Sequence, residues 1–427
     1  MTRRRTGKAA AGDPGGIPRH DRRQLTPSLQ RAIWFLGAGQ CVYWGMLYYG
    51  FSVLLVPMVS ELHSSRPVVA GAFSVGLLVM ALVAPQIGRW VDRDHAARVM
   101  RAGAWIAIAG VIVVSQVRGV VGLYAAWAVL GLAMATLFYE PVFGLVIRTV
   151  TVDRERLRAL ASVTVVAGLA STIFLPLMAF TVKRLGWRST ELAVAAVIVV
   201  ASWTLQRHVL PIFRAEPAHR SAAAIEQPAV RVRQPATFAV LAVVFVLSTL
   251  GSMSLTTVLI PVLVERGQSA TTAATVLAAL GVMQLPGRVW VLRGGRASSI
   301  RGLLLVQLGL QILGMFLVAV NGWIGVTALG VACFGGGAGL HTLARPWALQ
   351  SMYGVTDAGR VNGVMARYEG FARAGGPVAV ALLYDQRGAV SVFGGLGVAL
   401  LTMAPISWMF LARRRDASPA GPAGNGA

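Results

Sequence analysis

Two carboxylates sit well inside long apolar runs of this 427-residue chain, Glu140 and Glu369, out of 16 Asp and Glu in all. A charge at the centre of a lipid-embedded helix costs roughly 2.5–3.5 kcal/mol on the insertion scale, so its presence points first to chemistry. Glu140 stands in Phe138-Tyr139-Glu140-Pro141. Pro141 removes a backbone hydrogen bond at a place where a polar cavity can serve the freed carbonyl. That suits a site which binds substrate or takes up and releases a proton; a structural ion pair near a helix end is the open alternative. Glu369 precedes Arg373 by four residues, which puts both on one helix face in the favourable order. A self-contained ion pair is the simpler reading of that couple, proton coupling the other.

Arg288 and Arg345 are the candidate anion ligands, because a guanidinium offers a planar, permanently charged fork that matches a carboxylate with two hydrogen bonds. Each can instead snorkel to the interface as an anchor. His341, in His341-Thr342-Leu343-Ala344-Arg345-Pro346, is the histidine inside an apolar run. It is read either as a packed, hydrogen-bonded residue or as a proton relay. Trp44, Tyr48 and Tyr49 supply aromatic surface for an apolar pocket. The run Gly335-Gly336-Gly337 with Gly339 permits close helix approach. Cys41 and Cys333 fall in apolar stretches of opposite halves and offer neither a disulfide framework nor metal-ligand spacing. No P-loop, dinucleotide fingerprint or zinc pattern occurs, so an ATP-driven pump or a cofactor enzyme has no support, and neither cofactor nor metal is expected.

The elements that must position these groups are membrane helices. Hydrophobic residues make up 56% of the chain and charged residues only 13%, about half the share usual in a soluble domain. The apolar runs predict twelve spans, over 32–60, 68–88, 102–118, 120–147, 159–182, 190–207, 237–263, 270–292, 302–320, 323–347, 361–384 and 389–411. They divide into an N-terminal half, 29–207, and a C-terminal half, 237–412. The Ala-, Pro- and Arg-rich segment 208–236 reads as a cytoplasmic linker, and 1–28 and 413–427 as disordered tails, the first of them basic and without a cleavable signal peptide.

The formal charge of +23 is explained by topology rather than by nucleic acid. Of the 39 Lys and Arg, Arg66, Arg118, Lys183, Arg184, Arg188, Arg266 and Arg387 fall on one side. The rest lie in the tails, in the alternate loops or in the span halves leading to them, which predicts both termini in the cytoplasm. A repeat supports two related halves. Pro57 and Glu61 close span one as Pro261 and Glu265 close span seven, 204 residues on, and Gly88-Arg89 recurs as Gly287-Arg288 after 199.

The segment Gly88-Arg89-Trp90-Val91-Asp92-Arg93, with Arg98 following, resembles the loop signature between helices two and three of the major facilitator superfamily, with His95 where a second glycine is usual. The resemblance implies an all-α membrane fold of twelve helices in two pseudo-symmetric halves, with Gly88, Asp92, Arg93 and Arg98 in a conformational gate where Asp92 exchanges arginine partners. It also implies a cavity lined by helices one, four, seven and ten, in which Glu140 and Arg345 meet. Tyr48-Tyr49-Gly50-Phe51-Ser52-Val53, Leu160-Ala161 with Ala167-Gly168, and Leu185-Gly186-Trp187-Arg188 are similar to segments of bacterial monocarboxylate and oxalate/formate porters. Gln284-Leu285-Pro286-Gly287-Arg288 stands where those porters carry their substrate arginine, and Tyr139 is similar in position to a tyrosine of their cavity.

The expectation is therefore a monomeric, multi-pass carrier of a bacterial cytoplasmic membrane that moves a small solute by alternating access. Arg288, Arg345, Gln284, Tyr139, Tyr48 and Trp44 are expected to bind the substrate; Glu140, Glu369, Arg373 and His341 to couple protons. Proton-linked movement of a small organic anion such as a monocarboxylate leads, with proton-antiport efflux of drugs or toxic molecules as the alternative.

Overall fold

The computed structural model describes residues 25–215, 235–293, 299–320, 323–354 and 357–412. The tail segments 1–24 and 413–427 and the linker segment 216–234 lie outside the described residues. Among the described residues every regular element is a helix.

The first crossing starts where Thr26 accepts a hydrogen bond from the backbone of Leu29 and Pro27 opens the helix, a side-chain cap followed by the residue that needs no N–H. It runs as α1 (Pro27–Tyr43), a π-helical segment (Trp44–Tyr49) and α2 (Gly50–Glu61). Then come α3 (Arg66–Asp92), α4 (Ala96–Gln116), and a fourth crossing made of α5 (Val120–Leu137) and α6 (Tyr139–Thr149). The stretch α7 (Asp153–Ala167), α8 (Ala170–Thr204), a π-helical turn (Leu205–Val209) and α9 (Leu210–Ala215) follows. The second half holds α10 (Pro235–Glu265), α11 (Ala270–Val282) with α12 (Gln284–Leu292), α13 (Ile300–Ala319), α14 (Ile324–Tyr353) and α15 (Ala358–Ala412).

Ten stretches are long and apolar enough to cross a membrane, but two of them contain 62 and 52 residues. At about 1.5 Å per residue each would be more than twice the roughly 30 Å hydrocarbon thickness. Each turns once, at Gly186 (φ 77°) and at Gly388 (φ 73°), in a backbone region that favours glycine. Among the described residues the crossings therefore number twelve.

These turns make the repeat physical. Gly186 joins crossings five and six as Gly388 joins eleven and twelve. The left-handed residues His63 (φ 46°) and Gly267 (φ 83°), 204 positions apart, close the turns after crossings one and seven. Glu61 accepts hydrogen bonds from Trp187 and, at 2.6 Å, from Arg188 Nε; Glu265 accepts one from Tyr384 Oη at 2.5 Å. Both halves thus brace the end of their first helix against the Gly186 or Gly388 turn.

The halves meet through two equivalent pairings, α3 with the eleventh crossing in α15, and α7 with α12. In the first, backbone touches backbone: a Cβ on Gly88 would stand 2.1 Å from Gly359 O. Small residues permit this approach, which van der Waals packing and hydrogen bonds between the helices must stabilise where lipid is as apolar as the interface. Large apolar side chains such as Trp105, Ile112, Phe180 and Val200 point outward, while Gln307 and Gln311 are fully buried. That inversion of the soluble pattern is what lipid outside and polar cavity inside require.

The largest boundary difference from expectation is at the end of the sixth span. The sixth crossing continues to Ala215, into the segment read as linker, because Leu210 and Phe213 are buried where α9 meets α1.

Gly88→Ala drives a methyl group into the backbone of α15, so the two helices must separate. The expected outcome is a lower melting temperature of the detergent-purified protein, by an overpacking cost of about 1–3 kcal/mol. An unchanged melting curve would show that the α3–α15 approach is not close.

Candidate functional site

Four of the crossings that border one central cavity are not regular helices, and the irregularities aim side chains inward. In the first, the π-helical segment Trp44–Tyr49 brings Trp44, Tyr48 and Tyr49 to a central cavity. In the fourth, Pro141 interrupts the helix at Phe138 (ψ −155°), so that α6 restarts with Tyr139 and Glu140 in its first turn. The carbonyl that Pro141 leaves without its helical donor is Leu137 O, and Gln40 Nε2 takes it at 2.6 Å. In the fifth, α7 ends at Gly168; in the eighth, α11 ends at Met283.

Three helices of the second half each contribute a pair of side chains four residues apart. Gln284 and Arg288 lie on α12, His341 and Arg345 on α14, Glu369 and Arg373 on α15. Gly339 lets α14 approach Gln284 so closely that a Cβ there would lie 2.1 Å from Gln284 O. All six of these side chains line one cavity of about 190 Å³, together with Trp44, Tyr48, Tyr139 and Glu140 from the first half.

Arg345 is the centre of the charge arrangement. Its Nη2 donates to Glu140 Oε1 and its Nη1 to Glu369 Oε2, each at 3.1 Å, and it is 6% exposed. Glu369 Oε2 also accepts from Arg373 Nη2 at 3.1 Å and lies 3.5 Å from His341 Nε2. His341 Nδ1 is 3.4 Å from Gln307 Nε2. The expected self-contained Glu369–Arg373 pair is therefore corrected. The pair exists, but the same oxygen serves Arg345, so the couple belongs to a four-residue network that reaches Glu140 in the other half.

Arg288 is placed differently. It is 4% exposed and donates to Gln284 Oε1 and Thr164 O, both at 2.9 Å, and to Gly339 O at 3.4 Å. No carboxylate pairs with it among the described residues. Neither Arg288 nor Arg345 is an interfacial anchor: both are buried between helices. Three guanidinium groups and two carboxylates line the cavity, which leaves one positive charge in excess when His341 is neutral.

The residues Gly88, Asp92, Arg93 and Arg98 are not part of this cavity. Asp92 Oδ1 accepts from Gly359 N at 2.8 Å and Oδ2 from Arg360 N at 2.6 Å, so it holds the first turn of α15. In this conformation the partners of Asp92 are backbone N–H groups and not arginine side chains. The free N–H groups of a helix start are a fixed anion site, and Arg148 Nη1 reaches the backbone oxygen of Asp92 instead, at 2.5 Å. Arg93 and Arg98 are exposed. The tight turn uses Asp94 (φ 63°), a residue type that tolerates the left-handed region, so His95 needs no glycine.

The model of the Major Facilitator Superfamily matches residues 36–377. The chain belongs to that superfamily. Among solved structures it is similar to the human organic anion transporter MFSD10 (TETRAN), with a TM-score of 0.71, 16% identity, and coverage of 91% of this chain and 100% of that one. No curated protein matches in sequence. Membership makes the chain a multi-pass secondary transporter of small solutes and not an enzyme, and the twelve crossings are the superfamily's fold.

Several residues that shape the site of this superfamily member escape a search restricted to charges. Gln307 and Gln311, fully buried on α13, are spaced i, i+4 in an otherwise apolar run, a detectable pattern. Gln40 is paired by the fold to a proline 101 residues away, which no local pattern reveals. Away from the cavity, Glu191 lies at the start of the sixth expected span, yet is only 3% exposed, a third buried carboxylate.

Replacing Gln40 by Leu strands Leu137 O in a dry site. The expected loss of stability is about 1–3 kcal/mol, read as a lower melting temperature in detergent. No loss would mean that another donor serves that carbonyl.

Proposed function

We propose that this carrier moves a small organic anion such as a monocarboxylate together with a proton. The observation that carries the reading is Arg288: a buried guanidinium at the cavity wall, held in place by neutral oxygens and left without a countercharge. Its three neutral acceptors fix the fork, and an anion supplies the charge it lacks. Glu140 is the proton acceptor in this reading. Protonated, it releases Arg345 Nη2, and the ionic link between the halves is cut at one carboxylate while Glu369 keeps its partners. Substrate at Arg288, which also touches Thr164 of the first half, replaces one inter-half contact as the proton removes another. That exchange suits the rocking of two halves about a central site.

The positive-inside rule supports a cytoplasmic location for the Gly88–Asp92 end and both termini. With α3 and α15 in contact there, the conformation described is closed on that side. Similarity of Gln284–Arg288 and Tyr139 to the bacterial porters supports a bacterial cytoplasmic membrane and a single-chain carrier. A second reading, proton-antiport efflux of apolar toxic molecules, is favoured by the aromatic wall of Trp44, Tyr48 and Tyr49.

Uptake in proteoliposomes separates the two. An imposed inside-alkaline gradient is expected to drive a radiolabelled monocarboxylate inward, and Arg288→Ala to reduce this by about tenfold or more, as loss of a charge-assisted pair implies. Absence of stimulation for every small carboxylate tested overturns the reading. Glu140→Gln is expected to abolish gradient-driven uptake while sparing counterflow exchange; if neither changes, Glu140 is structural. Gly168→Ala provides a milder probe, since the added Cβ would lie 2.6 Å from Arg288 Nη1 and must push the guanidinium from Thr164 O. It is expected to raise KM severalfold with little change in melting temperature.

A further inference from the structure

The two faces of the cavity differ in chemistry. The first half presents rings. Trp44 stacks on Phe138 with centroids 4.1 Å apart and leans on Tyr48 and Tyr139, each at 5.1 Å. The second half presents hydrogen-bonding groups, with Ser248, Gln284, Gln311, His341 and Thr342 in the wall.

Four cavity-lining side chains keep a buried polar atom without a hydrogen bond among the described residues; two of these atoms, His341 Nε2 and Glu369 Oε1, belong to the ion-pair network, and the other two lie outside it. The indole Nε1 of Trp44 meets no acceptor among the described residues. Gln311, fully buried, has its amide oxygen 2.8 Å from Ser248 Oγ and its Nε2 without a partner. An unmet amide end in a dry site costs about as much as a lost hydrogen bond, so it marks where a ligand group belongs. A hydroxyl both donates and accepts, and so satisfies either end of an amide. A planar ring matches the opposite wall, because offset or edge contacts between rings are favourable beyond the area they bury.

From this division, and resting on the anion reading above, we infer that the substrate is a monoanionic aromatic carboxylate bearing a ring hydroxyl. Its carboxylate lies at Arg288, its ring against Trp44 and Tyr139, and its hydroxyl at Gln311. One negative charge matches the one positive charge in excess. A short aliphatic acid would leave both the rings and the Gln311 amide without contact.

Equilibrium binding to the full chain in nanodiscs tests this, by titration calorimetry with acetate, cyclohexanecarboxylate, benzoate, 3- and 4-hydroxybenzoate, and phenol. One hydroxybenzoate is expected to bind about tenfold tighter than benzoate, and benzoate about tenfold tighter than acetate, with cyclohexanecarboxylate between them. Gln311→Leu is expected to bring the hydroxybenzoate-to-benzoate ratio close to one; Ser248→Ala, a smaller change to the same hydrogen bond, serves if Gln311→Leu does not fold. Acetate binding as tightly as the hydroxybenzoates overturns this inference and leaves the anion reading standing. Phenol binding as tightly as 4-hydroxybenzoate, or no carboxylate binding at all, overturns the anion reading and this inference with it.

Discussion

Arg345 has almost no access to solvent, and two carboxylates offset its buried charge, one from each half of the molecule. Removing a single partner from a buried pair leaves an uncompensated charge and typically costs about 3–5 kcal/mol. Protonating a partner is gentler, since it neutralises the carboxyl without emptying its place. The Glu140–Arg345–Glu369 link is therefore both a strong constraint on how the halves sit and a contact that a proton can weaken. Arg373 and His341 crowd the same Glu369 oxygen, so Glu369 remains compensated when Arg345 shifts. Glu140, with Arg345 as its one ion-pair partner among the described residues, is the weak side of the link.

The second constraint is the backbone. Inside a membrane each peptide group needs a partner, so a helix can break only where side chains or a cavity serve the freed groups. The interruptions at Trp44–Tyr49, Phe138, Gly168 and Met283 all border the cavity. Leu137 O is served by Gln40, and Thr164 O by both Gly168 N–H and Arg288. The broken helices and the polar site are thus one feature. Arg288, in the cavity wall, also satisfies the backbone at the break beside it.

At the Gly88–Asp92 end the contact between the halves rests on different chemistry. Asp92 binds two backbone N–H groups of α15, a site fixed by helix geometry, rather than a mobile side chain. Such a contact is made when α3 and α15 are in register and lost when they separate, with no intermediate partner to ease the change. Close approach at Gly88 and Gly359 makes the register narrow. This contact is geometrically strict, whereas in the cavity two arginines share one Glu369 oxygen.

The number of spans, the two halves, their repeat and the charges well inside the spans, such as Glu140, Glu369, Arg288 and Arg345, were legible in the amino-acid order, because lipid imposes length, hydropathy and charge rules that act on contiguous residues; buried Glu191, at a span end, was not. The cavity residues were legible for the same reason: a charge in an apolar run stands out wherever it falls. Apart from the Glu140–Arg345 pair, which the family resemblance implied, tertiary structure decided who pairs with whom. Glu369 has an arginine four residues away but shares its oxygen with a second, 24 residues upstream; Asp92 has arginines beside it but binds a helix start across the halves. Gln40 serves a carbonyl whose need is created by Pro141, and Arg288 is isolated from carboxylates although its chain neighbourhood does not require it. Spacing along the chain determines which groups are costly to bury, whereas only packing in three dimensions determines which partner offsets that cost.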